Sequence, residues 1–109
     1  MNPADICFMP ALELREHYRT GSLSPVEVTE TVLARIDAVN PTLNAFITVT
    51  PERAMDDARR AEDAYRSGDA GPLEGIPTSI KDLVPTRGIR TTSGSLLHKN
   101  RVPDEDAPL

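Results

Sequence analysis

The segment that decides the predicted fold reads GIPTSIKD and covers residues 75–82. It begins with a glycine, passes through a proline, and then mixes apolar and β-branched residues with polar ones, which is typical of a short β-strand. Side chains two residues apart share a face of a strand. We therefore expect Ser79 and Lys81 to project from one face and Thr78 and Ile80 from the other.

Lys81 would then lie at the end of a buried strand. A buried lysine must pair with an anion, reach water or lose its proton, because burial lowers the pKa of an ammonium group by up to several units. Such an amine can act as a base near neutral pH. The alternative is a solvated strand end beside Asp82 that does no chemistry. Residue spacing alone leaves both interpretations open.

Residues 67–109 are predicted to be a strand and loop region that carries this lysine. They hold five of the six glycines and five of the ten prolines, and helical periodicity is weak. So long an irregular stretch indicates functional loops, disorder or segments held by structure outside the sequence, and we favour the last. Short strands are expected at residues 75–82 and around Ile89, with a polar loop at residues 92–95.

Upstream of this region, residues 1–10 are predicted to be a lead-in and residues 11–66 a helical region with one short strand. The helices are expected at residues 11–20, 24–40 and 51–66, and the strand at residues 43–50.

The helix beginning at Ser24 has the clearest local signal. Ser24, Pro25 and Glu27 form a capping box with a proline at the first helical position. Asn40 is predicted to end the helix, because the residue before a proline is disfavoured in the helical conformation.

The helices at residues 24–40 and 51–66 present apolar faces that little in the sequence would cover. The second face is built mainly from alanines, which allow close packing but supply little apolar area. Self-association into a homo-oligomer through these faces is therefore expected.

Composition excludes several classes of function. With 12 lysines and arginines against 17 aspartates and glutamates, the formal charge is −5, the wrong sign for binding nucleic acid. Cys7 is the single cysteine, so no internal disulfide or cysteine-based metal site is expected. Neither a signal peptide nor about 18 consecutive apolar residues occur. We expect a soluble cytoplasmic protein without metal, cofactor or membrane binding.

Other catalytic motifs receive little support. No nucleotide-binding glycine motif is present. Ser79 or Ser95 could pair with Lys81 as a self-contained nucleophile and base, but neither aligned partners nor oxyanion donors can be placed. His17 and His98 are predicted to be surface residues.

Several segments in order together resemble the N-terminal part of amidase signature enzymes. The resemblance covers nearly the whole chain from Leu12 onward, and the matching segments are SPVEV at 24–28, NPTLNAF at 40–46, GPLEGIP at 71–77, KD at 81–82, GIRTTSGS at 88–95 and DA at 106–107.

The resemblance implies a serine hydrolase that cleaves amide bonds of small molecules through an acyl-enzyme. In that family a lysine deprotonates a bridging serine, which relays a proton from the nucleophilic serine, and Lys81 matches this lysine. Neutrality of the lysine would require a desolvated pocket. The family often has a small apolar residue where this chain has Ser79, so no role is carried onto it, and Ser95 is at most supporting.

The sequence contains no Gly-Ser-Ser, so the resemblance places both serines outside the 109 residues. The chain alone is therefore predicted to be inactive. One alternative is the related amidotransferase subunit that supplies ammonia to misacylated transfer RNA, although the segments around Lys81 and residues 92–95 look more like general amidases. Another is a truncated, non-catalytic interaction module.

The predicted fold is α/β, with N-terminal helices packed at the edge of an incomplete mixed sheet.

Overall fold

A computed structural model describes residues 1–108, which contain four α-helices and one short 3-10 helix. They form two compact units, one of Met1–Leu43 with Pro51–Pro77 and one of Asn44–Thr50 with the chain from Thr78 onward. The helices are α1 (Pro3–Cys7), α2 (Ala11–Thr20), α3 (Pro25–Leu43) and α4 (Pro51–Ser67), and the 3-10 helix is Leu96–His98.

Residues 1–10, which are predicted to be a lead-in, contain the one-turn helix α1. The Asn2 side chain accepts the Asp5 N–H, and the Asp5 carboxylate accepts the Asn2 N–H, so the one-turn helix is closed by a capping box. Pro3 at the first helical position has a φ suited to this start. The first helix therefore begins at Pro3, although residues 1–10 lack the apolar periodicity that would predict a helix there.

The predicted helix at residues 11–20 is confirmed as α2, and Gly21 ends it with a left-handed φ of 78°. The predicted capping box of α3 is also confirmed. The Ser24 hydroxyl accepts the Glu27 N–H at 3.1 Å, and the Glu27 carboxylate accepts the Ser24 N–H at 2.8 Å.

The predicted end of α3 at Asn40 is wrong, because the helix continues through Pro41 to Leu43. A proline in a helix removes one hydrogen-bond donor. Within the last turn that loss is small, and Asn44 then takes a left-handed φ of 50°, a conformation in which helices commonly end.

The core of the first unit lies between the helices and the segment that follows α4. Leu14, Tyr18, Leu23 and Val28 are buried there, and Ile6, Met9, Val32, Tyr65 and Ile76 pack against them. The rings of Tyr18 and Tyr65 meet edge to face with centroids 5.4 Å apart. Burial raises the pKa of Tyr18, and the neighbouring Tyr65 adds to the effect.

The alanine face of α4 is covered, contrary to the prediction that little in the chain would cover it. Ala58 and Ala61 are buried, and α4 packs on α3. Small side chains permit this close approach of two helices. The large apolar side chains that remain exposed in this unit lie elsewhere, and they include Phe8, Leu12 and Leu73. No helix within residues 1–108 is both long and apolar enough to cross a bilayer.

The second unit is held by hydrogen bonds between two passes of irregular backbone. The N–H groups of Gly88 and Thr91 donate to the carbonyls of Pro103 and Arg101 at 3.0 Å each, and the Ala107 N–H donates to the Pro85 carbonyl at 2.9 Å.

The predicted strands at residues 43–50, 75–82 and around Ile89 are not shown by this structure. Within residues 1–108 no strand forms, and a single bridge joins Thr86 to Ile89. A strand needs a partner to pair its N–H and C=O groups, and the described backbone offers none alongside these segments. The structure is therefore helical with irregular loops, and the mixed sheet of the predicted α/β fold is not present in it.

Candidate active site around Lys81

The GIPTSIKD segment starts from a fixed point in the first unit. The Tyr18 hydroxyl donates to the Gly75 carbonyl at 3.0 Å, and the Tyr65 hydroxyl donates to the Glu74 carbonyl at 3.1 Å. Gly75 has a φ of 74°, and a Cβ atom added there would lie 2.8 Å from the Pro25 side chain. Only glycine fits this position without a shift of its neighbours.

Lys81 is exposed in this structure. Its carbonyl accepts the Val84 N–H at 2.9 Å, which closes a turn at the end of the predicted strand. The desolvated pocket that the resemblance requires is not formed by residues 1–108. Ser79 and Ile80 are exposed as well. The segment forms no strand here, so its side chains do not alternate between two faces of a sheet.

The next residue, Asp82, is the anchor of the polar loop at residues 92–95. Its carboxylate accepts the Thr92 N–H at 2.8 Å, the Thr92 hydroxyl, and the Gly94 N–H at 3.3 Å. Its own carbonyl accepts the Ser93 N–H at 3.0 Å. The Thr92 hydroxyl, followed by the two N–H groups and the positive Arg90, holds the pKa of Asp82 below its ordinary value.

The loop itself has an unusual backbone. Ser93 and Gly94 have φ values of 52° and 67°, both in the left-handed region, and the Ser95 N–H closes the loop onto the Thr92 carbonyl at 3.0 Å. Thr92 is 5% exposed and is one of two buried polar residues among those described.

The two serines considered as partners of Lys81 have other surroundings. The Ser95 hydroxyl accepts the Leu97 N–H at 3.2 Å and caps the 3-10 helix, while Ser79 is exposed. Across residues 1–108, neither hydroxyl is hydrogen-bonded to Lys81. A self-contained serine and lysine pair therefore has no geometric support.

Sequence reasoning missed the role of Asp82, which it treated only as a neighbour of the lysine. A weak signal was available, because an aspartate ten residues before a Thr-Ser-Gly turn can accept the turn's N–H groups. Over residues 1–108, no three or more His, Cys, Asp or Glu side chains are grouped so that they could hold a metal ion.

Comparison with known proteins gives consistent matches. A family model described as Amidase matches residues 27–109. The chain is 48% identical over 94 residues to a glutamyl-tRNA(Gln) amidotransferase subunit of Geobacter metallireducens, covering 86% of this chain and 19% of that protein. The corresponding proteins of Geotalea daltonii and Alkalilimnicola ehrlichii are 45% and 46% identical over 95 residues, covering 87% of this chain and 20% of each relative. The chain thus spans about a fifth of the length of these relatives.

Proposed function

Since the chain belongs to the amidase family, we propose that it forms part of an enzyme that hydrolyses carboxylic amide bonds through a serine acyl-enzyme, with Lys81 as the catalytic lysine. In this proposal the lysine takes a proton from a bridging serine, and both serines come from family sequence beyond residues 1–109.

One observation carries this proposal. The backbone of Lys81 and Asp82 is tied on both sides, to Val84 and to the loop at residues 92–95, while the lysine side chain is exposed. A fixed backbone with an exposed amine suits a group that is covered by other parts of a larger enzyme. Coverage would remove water from the amine and let it act as a base.

The same coverage accounts for the strand pattern of residues 75–82. We infer that these residues pair in a mixed sheet of the complete enzyme, because their N–H and C=O groups would then find partners. The exposed Ile80, which is 58% accessible, would be buried by that pairing.

The two lysines of the chain provide a matched test of the catalytic role. In an enzyme of full family length that contains residues 1–109, Lys81→Met should lower kcat for a simple aromatic or aliphatic amide by at least about 100-fold, because the general base is lost. Lys99→Met should leave kcat within about threefold, since Lys99 is also exposed and has no assigned role. Equal rates for Lys81→Met and the unaltered enzyme would refute the proposal.

The 109-residue chain alone should show no amide turnover. It lacks the Gly-Ser-Ser segment, and within the described residues 1–108 no serine hydroxyl is hydrogen-bonded to Lys81. Ammonia release from benzamide, followed with the chain and with its Lys81→Met variant, checks this. Turnover by the chain that disappears in the variant would show that the chain contains its own nucleophile.

A second candidate function follows from the names of the relatives. The proteins compared above are subunits of glutamyl-tRNA(Gln) amidotransferase, at 45–48% identity. Under this candidate the ammonia released at the site is transferred to glutamyl-tRNA. Formation of glutaminyl-tRNA by the complete enzyme with co-purified partner subunits would support this candidate. Efficient hydrolysis of simple amides without partners would support a general amidase.

A third candidate is an interaction module that self-associates through exposed apolar residues. Leu96 and Leu97 are 87% and 92% exposed, which favours it. Light scattering of the chain should then show oligomers whose size falls in a Leu96→Ser, Leu97→Ser double variant. A monodisperse monomer with a cooperative thermal transition would exclude this role.

A further inference from the structure

Asp82 is the one described residue whose side chain and main chain both bind the loop at residues 92–95. Its carboxylate receives three donors from Thr92 and Gly94, and its carbonyl receives the Ser93 N–H. No basic side chain forms an ion pair with this carboxylate among residues 1–108. The hydrogen bonds that the Asp82 carboxylate and carbonyl accept therefore come from the loop.

Hydrogen bonds to Asp82 hold the loop in its conformation. Backbone N–H groups of a turn can bind an anion together, and here the N–H groups of Thr92 and Gly94 donate to the carboxylate while that of Ser93 donates to the Asp82 carbonyl. Ser93 at a φ of 52° holds a conformation that non-glycine residues seldom adopt. The carboxylate accepts the N–H groups of the residues on either side of Ser93, and the buried Thr92 hydroxyl donates to it as well.

The anchor also restricts the position of Lys81. The peptide group between Lys81 and Asp82 lies between two fixed points, since the Lys81 carbonyl is bound by Val84 and the Asp82 side chain is bound by the loop. Rotation of this part of the backbone would break bonds on both sides. The direction in which the lysine side chain leaves the backbone is thereby limited.

We propose that Asp82 is a positioning residue for amide hydrolysis, which acts by locking the loop at residues 92–95 and through it the backbone of Lys81. The proposal rests on the proposed catalytic role of Lys81. It assigns Asp82 no contact with substrate, because its carboxylate oxygens already accept hydrogen bonds from the loop.

The first test uses an enzyme of full family length that contains residues 1–109. Asp82→Ala should lower kcat for a simple amide by roughly 10- to 100-fold, because small misplacements of a catalytic group have effects of this size. KM should change by less than about threefold. Asp104→Ala serves as the control, since Asp104 is an exposed aspartate of the same unit and should leave kcat unchanged.

The second test uses Thr92, where conservative variants separate the hydroxyl from the shape of the side chain. Thr92→Val keeps the shape and the N–H donor but removes the hydroxyl, which donates to Asp82 and accepts the Gly94 N–H, and it should reproduce part of the loss in kcat. Thr92→Ser keeps the donor and should stay within about threefold of the unaltered enzyme. This pair keeps the proposal testable if Asp82→Ala fails to fold.

A structural readout complements the kinetics. Hydrogen exchange of the Thr92 and Gly94 amides should accelerate in Asp82→Ala and remain slow in Asp104→Ala. Faster exchange with an unchanged kcat would overturn the proposal, as would a loss expressed in KM alone or equal kcat values for Thr92→Val and Thr92→Ser. Full activity of Lys81→Met would instead refute the catalytic role on which the proposal rests, so the two failures are distinguishable.

Discussion

The two units of the chain are stabilised in different ways. The first unit buries apolar side chains between helices, with Tyr18 and Val28 at its centre. The second has few buried side chains and is held by backbone hydrogen bonds and by the carboxylate of Asp82. Packing by apolar burial tolerates few changes of shape, whereas a loop held by hydrogen bonds can place polar groups accurately without a large core. The difference indicates that stability lies mainly in the first unit and the candidate chemistry in the second.

The largest expected effect is the loss of packing at Tyr18. Tyr18→Ala should lower the free energy of unfolding by about 4 kcal/mol, because it opens a cavity and leaves the Gly75 carbonyl without its donor. Tyr18→Phe should cost only about 1 kcal/mol. Leu97→Ala in the second unit should change stability by less than about 0.5 kcal/mol, since Leu97 is 92% exposed. Urea titration checks all three variants, and equal costs for Tyr18→Ala and Leu97→Ala would remove the contrast between the units.

A pair of glycines provides the next test, because they share one backbone conformation in different surroundings. Gly75 and Gly88 both have a φ of 74°, but a Cβ at Gly75 would lie 2.8 Å from Pro25, and nothing lies within 4 Å at Gly88. Gly88→Ala should cost about 1 kcal/mol of unfolding free energy for the left-handed conformation. Gly75→Ala should cost about 3 kcal/mol, because overpacking is added. Equal costs would mean that the packing around Gly75 is loose.

A smaller effect is expected at the N-terminus of α3. Ser24→Ala removes the side-chain acceptor for the Glu27 N–H and should cost about 1 kcal/mol of unfolding free energy. Ser79→Ala is the control, since this exposed serine caps no helix. Thermal unfolding followed by circular dichroism at 222 nm measures both. An unchanged transition in Ser24→Ala would show that tertiary packing alone fixes the start of the helix.

The smallest effect is a local response to acid in the second unit. The pKa of Asp82 is lowered from about 3.8, so the carboxylate's hold on the loop is fully present above that pH and is lost as the pH falls through the lower folded-state value. Exchange protection of the Gly94 amide should therefore fall below about pH 3.8, while that of Tyr18 in α2 should not. Asp82→Asn should abolish this pH dependence. A Gly94 response that persists in Asp82→Asn would assign the acid sensitivity to another carboxylate.

The parts of the structure that were predictable are those fixed by short stretches of sequence. The capping box at Ser24 and the glycine stop at Gly21 each lie within a few residues of the elements they define, and both predictions are confirmed. The end of α3 was misjudged because the cost of Pro41 depends on how many helical bonds follow it. Local chemistry thus located α2, α3 and α4, missed the one-turn α1 and misplaced the end of α3.

The strands and the loop anchor were not predictable in the same way. An alternating pattern such as that of residues 75–82 indicates that a segment can form a strand. The strand forms only where a partner strand pairs with it. The hydrogen bond from Tyr18 to Gly75 joins residues that are 57 positions apart in sequence. The hydrogen bond from Thr92 to Asp82 joins residues that are ten positions apart. No local pattern predicts the first contact, and the second leaves only the weak signal of an aspartate ten residues before a Thr-Ser-Gly turn. The catalytic role of Lys81 stays a prediction from resemblance, and the structure adds the anchored backbone beside it.

The most direct test of the central claim is the formation of an acyl-enzyme. An enzyme of full family length that contains residues 1–109 is mixed with an activated acyl donor, and the mass of the intact protein is followed over time. We predict a mass increase of one acyl group in the unaltered enzyme and in Lys99→Met, and none on the same timescale in Lys81→Met. Acylation of Lys81→Met at the unaltered rate would contradict the assignment of Lys81 as the group that activates the nucleophile.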